Sequence, residues 1–261
     1  MAGRATMVGM GDGAVPAATL STRALWQANR GGGLVSEYAS TWLGAAVAVP
    51  LARRRVRPST VTLVALAVGL ASSALAIVAV AHGRPVVSAL VALVGWQGAY
   101  VLDCTDGTVA RATGTTSAHG ARLDVLCDLA VQSGVVATVV RAVDGARGCP
   151  SWLQALFAIT WTVNLFAGTL ARIDGRAGHS LLSDERTVVN QAARLARDYP
   201  FQALVLAAAL VRPQGALPWI VIAFVVLHGG LLLASIANEA RLALAATRSA
   251  SPAVRRRDTS R

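Results

Sequence analysis

The sequence predicts an all-α fold: a polytopic membrane helical bundle of six transmembrane helices, preceded by an N-terminal amphipathic helix lying in the interface. Three observations carry that expectation. The chain is 54% hydrophobic and only 14% charged, far from the balance of an ordinary soluble domain. Apolar windows of about 20 residues, the length that crosses the hydrocarbon, recur along it. The basic residues, all of them Arg apart from four His, gather in alternate loops between those windows.

Residues 1–34 carry Gly, Ala, Thr and scattered Arg with no continuous apolar run, which reads as a flexible cytoplasmic tail and not as a cleaved secretion signal. Residues 35–57 mix apolar positions with Glu37, Tyr38 and Trp42 and end on Arg53, Arg54 and Arg55. That mixture suits a helix lying along the interface better than one crossing it. The six windows then fall at about 60–82, 86–105, 121–142, 151–171, 200–212 and 217–238. Gly83-Arg84-Pro85, residues 143–150 and Arg212-Pro213-Gln214-Gly215 interrupt them. The fifth window is short, so its helix is expected to begin earlier, within Asn190 to Tyr199. This places the six-span domain at 58–242 and leaves 243–261, with Arg255-Arg256-Arg257, as a disordered, basic cytoplasmic tail attracted to lipid.

With both termini inside, Arg53–Arg55 and Arg57, Arg111 and Arg122, Arg172 through Arg197, and Arg241 onward all become cytoplasmic. Only Arg84, Arg141, Arg147 and Arg212 fall outside, which satisfies the positive-inside rule for a multi-pass protein of the cell membrane. The net charge of +11 argues for phospholipid head groups and not for nucleic acid, because the Arg residues are spread between apolar spans instead of gathered with aromatics on a polar face. Cys104, Cys127 and Cys149 lack paired metal-ligand spacing, and an odd count argues against a disulfide framework. They read as small apolar fillers.

Chemistry concentrates where the second and third windows face each other. Asp103 and Asp106 form an i,i+3 pair at the end of one span, and Asp124 and Asp128 an i,i+4 pair at the start of the next. One such carboxylate at mid-helix depth costs roughly 2.5–3.5 kcal/mol on insertion scales, and four together repel one another. They require a cation. Oxygen-only ligands select hard ions such as Mg²⁺ or Mn²⁺, and facing carboxylate pairs can hold two of them about 3.5–4 Å apart, the arrangement used in phosphoryl transfer. Gly107 lets a substrate approach the backbone, and Arg111 offers a planar fork to phosphate oxygens. A diphosphate would satisfy both.

The same run, Asp103-Cys-Thr-Asp106-Gly107-Thr-Val-Ala110-Arg111, eight residues, Gly120-Ala-Arg-Leu-Asp124-Val-Leu-Cys-Asp128, resembles without gap or substitution the signature of the CDP-alcohol phosphotransferase (CDP-alcohol phosphatidyltransferase) family. The resemblance implies that Asp103, Asp106, Asp124 and Asp128 ligate two metal ions and that Asp128 also acts as general base on the acceptor hydroxyl. It implies that Gly107, Arg111 and Ser117 contact the CDP moiety, with Ala110 and Gly120 allowing close packing around it. Where family members carry Pro-Asn-x-x-Thr at the start of the first span, this chain has Pro58-Ser59-Thr60-Val61-Thr62. Ser59 replaces the Asn and offers a shorter reach to the nucleotide, while Thr62 matches.

The implied function is an integral-membrane phospholipid-synthesis transferase that moves a substituted phosphate from a CDP-alcohol, foremost phosphatidyl from CDP-diacylglycerol, to a small polar alcohol and releases CMP. Alternatives are transfer from a soluble CDP-activated alcohol to a lipid or polyol, or a non-catalytic lipid-binding relative. Metal transport is disfavoured because the carboxylates cluster at one face with no second acidic layer along the spans. Arg172 and Arg176, one turn apart on the same side as the aspartates, are the candidates for an anionic acceptor. Family resemblance also implies a homodimer.

Overall fold

The computed structural model describes residues 20–29, 35–173, 195 and 198–255, and among these there is no strand. Among the described residues the α-helices in order are α1 Thr22–Ala28, α2 Thr41–Arg53, α3 Pro58–Ala81, α4 Pro85–Thr113, α5 Ala118–Val143, α6 Ser151–Ile173, α7 Tyr199–Ala209 and α8 Ala216–Arg255. A π-helical turn, Ser36–Ser40, leads into α2. The chain divides into two compact units, residues 1–142 with 185–213, and residues 143–184 with 214–261.

Local sequence explains where the helices start and stop. Proline opens α3, α4 and α7, positions where its missing N–H costs nothing and its fixed φ is already helical. Arg57, just before Pro58, is extended as a pre-proline residue must be. At the other end of α4, Gly114 takes a left-handed conformation (φ 66°), and the Thr115 N–H returns to the Ala110 carbonyl at 2.9 Å, a Schellman closure. Three residues later Ser117 caps α5, its Oγ accepting the Gly120 N–H at 3.0 Å.

Where α3 and α4 pack together, small residues point inward and large apolar ones outward. Ala65, Gly69, Ser72, Ser73 and Ala76 of α3 are buried with Ala89, Ala92, Gly95 and Ala99 of α4, whereas Leu63, Leu70, Leu75, Val86, Leu90 and Val94 are exposed. A water-soluble protein would bury the latter set. In lipid the preference inverts, because the solvent is as apolar as leucine and helices gain by close backbone approach. Trp96 is the large exception: it is fully buried and its indole N–H donates to Ser73 Oγ at 3.0 Å. Four helices among the described residues are long and apolar enough to cross a membrane: Pro58–Ala81, Pro85–Thr113, Ala118–Val143 and Ala216–Leu244.

The fourth window is occupied by α6, a helix of 23 residues. For the fifth window the described helix is α7, whose 11 residues rise about 16 Å. Most of the stretch where an earlier start was expected, 190–194 and 196–197, lies outside the described residues. The other departures are extensions. Helix α4 runs eight residues past the expected end at 105, carrying the whole Asp103–Arg111 run on helix, and α8 continues to Arg255 through residues expected to be a tail.

The N-terminal region departs from expectation as well. Within residues expected to be a flexible tail, Thr22–Ala28 forms α1, capped by Ser21 Oγ, which accepts the Ala24 N–H at 3.2 Å. Leu20 and Leu25 are buried in one cluster with Ala45, Ala48 and Ala52 of α2 and Val109 and Ala112 of α4. The 13 residues of α2 are too few to cross a bilayer. Its small face, Gly44, Ala45, Ala48 and Ala52, is buried, and Thr105 Oγ1 of α4 lies 3.3 Å from the Gly44 carbonyl, while Trp42, Leu43 and Val47 are exposed.

The second unit holds α6 and α8 together through an aromatic column. Phe224 lies nearly parallel to both Trp161 (centroids 4.9 Å apart) and His228 (4.0 Å), with Phe157 edge-on at 5.0 Å. Asn164 Nδ2 lies 3.4 Å from the His228 carbonyl on the facing helix, an interhelical polar contact of the kind expected for a buried amide in a membrane bundle.

Candidate active site

Because α4 continues through the signature, Asp103, Asp106, Gly107 and Ala110 recur at i, i+3, i+4 and i+7 and make one stripe along it. On α5, Gly120, Asp124 and Asp128 recur every turn after the Ser117 cap. The four-residue connection Gly114–Ser117 turns the chain so that the two stripes meet. Carboxylate oxygens of Asp103, Asp106 and Asp124 all lie within 4.8 Å of one another. Asp106 is buried and the other two are half-buried.

Three carboxylates this close repel one another unless a cation lies among them. Their donor set, oxygen alone, is that preferred by hard divalent cations. The residues therefore fit a hard divalent ion. Thr62, arriving from α3, donates its hydroxyl proton to the Asp106 carboxylate and so fixes the orientation of that group.

A cleft of about 250 Å³ opens beside the cluster. Asp106 and Asp124 form one wall; Ser59, Thr62, Gly107, Ala110, Arg111, Ser117 and Gly120 line the rest, with Thr115 and Thr116 at the connection. All seven residues expected to meet the CDP moiety thus face one space. The guanidinium of Arg111 folds back over Gly107, where an added Cβ would meet its nitrogens at 3.2 and 3.3 Å. Its Nε donates to Asn29 Oδ1 at 2.6 Å, so the N-terminal helix reaches into the site. Ser59 is exposed at the cleft rim.

Asp128 lies one turn further along α5 and faces a second, narrow cavity of about 20 Å³ together with Asp103. Tyr100 of α4 and Tyr199 of α7 close it, their rings 5.2 Å apart. Of the acceptor candidates, Arg176 lies outside the described residues, and only the helical backbone of Arg172, within α6, is described. Sequence reasoning missed Asn29, whose segment looked structureless, and Tyr199, whose position depends on tertiary placement. A weak signal for the first existed in Leu20, Leu25 and Trp26 flanking a serine cap.

Helices long and apolar enough to cross a membrane, a carboxylate cluster able to hold a metal ion and a polar cleft beside it are features suited to a membrane phosphotransferase. The sequence model of CDP-alcohol phosphatidyltransferases matches residues 55–228, two thirds of the chain, and the chain belongs to that family. A comparison with curated proteins gives no match.

Proposed function

We propose that this protein transfers a substituted phosphate from a CDP-alcohol to the hydroxyl of a second alcohol and releases CMP. The observation that supports it best is the convergence of Asp103, Asp106 and Asp124 within 4.8 Å at the wall of a cleft lined by the rest of the signature. Asp103, Asp106, Asp124 and Asp128 would hold two divalent ions, Mg²⁺ or Mn²⁺. When bound, those ions supply Lewis-acid stabilisation of charge developing on the diphosphate.

The chain's own residues do the remainder. Gly107 and Gly120 keep Cβ atoms out of the cleft, and Ala110 adds only a methyl, so a nucleotide can lie close to the backbone. Arg111, held at Nε by Asn29, retains its terminal nitrogens for phosphate oxygens. Ser59 and Thr62 border the nucleotide end and Ser117 the connection between the helices. Asp128 takes the proton of the incoming hydroxyl as the new O–P bond forms and the P–O bond to CMP breaks.

CDP-diacylglycerol is the proposed donor, since a site at the end of membrane helices suits a substrate with lipid tails. The acceptor is a small polar alcohol, of which glycerol 3-phosphate, an inositol phosphate and serine are examples. Arg172 and Arg176 are retained as the proposed contacts for an anionic one. The site faces the cytoplasm, and the protein works as a homodimer.

Radiolabelled CDP-diacylglycerol offered with a panel of alcohols, with and without Mg²⁺ or Mn²⁺, tests this directly. CMP release that requires both metal and alcohol is expected. Turnover only with a soluble CDP-activated alcohol would reassign the donor, and inertness toward every CDP-alcohol would leave a lipid-binding relative without catalysis.

A further inference from the structure

The narrow cavity facing Asp128 contains a polar group that the reaction scheme above does not use. The phenol oxygen of Tyr199 is buried and has no hydrogen-bond partner among the described residues. Such a group is costly to leave unmade, and most buried polar atoms in folded proteins avoid it. Loose placement does not explain it, because the start of α7 is tied down on three sides. The Asp198 carboxylate accepts the N–H groups of Val35 and Ser36 at 2.7 and 3.0 Å. Gln97 Nε2 donates to the Pro200 carbonyl at 2.7 Å, and the Tyr199 ring lies against Tyr100.

The cavity's size and lining restrict what could pair with the phenol. About 20 Å³ has room for about one water-sized group and not for a head group. Asp103 and Asp128 supply its carboxylates, Thr62 a hydroxyl, and Ala65, Leu66 and Val131 much of the apolar remainder. A group seated there must offer a lone pair to the phenol and lie beside Asp128. An alcohol hydroxyl matches both sides: its lone pair accepts from the phenol and its proton faces Asp128.

We infer that Tyr199 binds the acceptor alcohol, its phenol donating a hydrogen bond to the reacting oxygen and so seating that hydroxyl beside Asp128. This rests on the transferase reading. In the reaction Tyr199 keeps its proton, Asp128 takes that of the alcohol, and the O–P bond to the acceptor forms as the P–O bond to CMP breaks. The role is distinct from that of Arg172 and Arg176, which would recognise the far end of an anionic acceptor.

Tyr199→Phe in the full-length protein, reconstituted in liposomes, removes one oxygen and keeps the ring. With donor saturating, kcat/KM for the acceptor is expected to fall about 10–100-fold, as for loss of one hydrogen bond to the reacting group, while the donor KM stays within about twofold. The melting temperature should not drop, since an unpaired buried hydroxyl contributes nothing to the fold. An unchanged acceptor kcat/KM, an equal rise in donor KM, or a lowered melting temperature would overturn the assignment. Absence of CMP release by the wild-type protein would instead overturn the transferase reading itself, so the two failures are separable.

Discussion

Asp106 is the most enclosed carboxylate of the cluster, and Thr62 decides how it is presented. A buried carboxylate that accepts a fixed hydrogen bond has fewer orientations in which to meet a metal, and the partner that orients a ligand typically contributes about 10–100-fold in metal affinity or activity. Thr62→Val keeps the shape and deletes the donor, so the Mn²⁺ concentration for half-maximal CMP release should rise by about 10-fold or more, with Thr62→Ser restoring most of the loss. A metal dependence identical to wild type would show that the hydroxyl has no such role. Asp128 is proposed to act differently, as general base on the acceptor hydroxyl. Asp128→Asn preserves volume but cannot accept a proton, and CMP release should fall by at least about 10²–10⁴-fold while elution in detergent stays monodisperse. Substantial retained turnover would move the general base elsewhere.

Helices α3, α4 and α5 meet through small residues, and glycines mark the closest approaches. A Cβ at Gly95 would collide with the Ser72 side chain of α3; one at Gly134 would lie 2.8 Å from Ser73 Oγ, and one at Gly69 2.7 Å from both Val131 methyls. Gly98, one turn from Gly95, has nothing within 4 Å. Overpacking costs about 1–3 kcal/mol, and the helix-propensity gain from Gly to Ala is only about 1 kcal/mol. Gly95→Ala should therefore lower the melting temperature in detergent, whereas Gly98→Ala should leave it unchanged or raise it; equal effects would contradict the packing described. The same helices show what a sequence discloses. Hydropathy marks α3, α5 and the start of α4 within a few residues, and the i,i+3 and i,i+4 spacings bring the aspartates to facing stripes. Hydropathy could not show that α4 runs on to Thr113, because a polar run within a bundle looks like a helix end until its buried partners are known. Nor could it find α1, whose stability comes from Leu20 and Leu25 meeting residues far along the chain, or Tyr199, which matters only because α7 docks on α4.

At the scale of the whole molecule the bilayer orders everything else. Consecutive spans α3, α4 and α5 alternate direction, so the start of α3, the end of α4 and the start of α5 share one membrane face, and Thr62, Asp106 and Asp124 lie at it. The turn between α3 and α4, at Gly83 and Arg84, belongs to the opposite face. Charge then decides which face is which: Arg53, Arg54, Arg55, Arg57, Arg111 and Arg122 flank the site, against Arg84 alone at the α3–α4 turn. The positive-inside rule then predicts a site open to the cytoplasm. Thr116→Cys at the cleft and Arg84→Cys at the far turn, in a background with Cys104, Cys127 and Cys149 replaced by Ala, test this with a membrane-impermeant maleimide. Thr116→Cys should label in inverted vesicles and be protected in right-side-out ones, and Arg84→Cys should show the reverse. Saturating a CDP-alcohol with Mn²⁺ should slow labelling at Thr116→Cys, which lines the cleft, and leave Arg84→Cys untouched. Labelling of both positions from one side would break the alternation of spans on which the placement of the site depends.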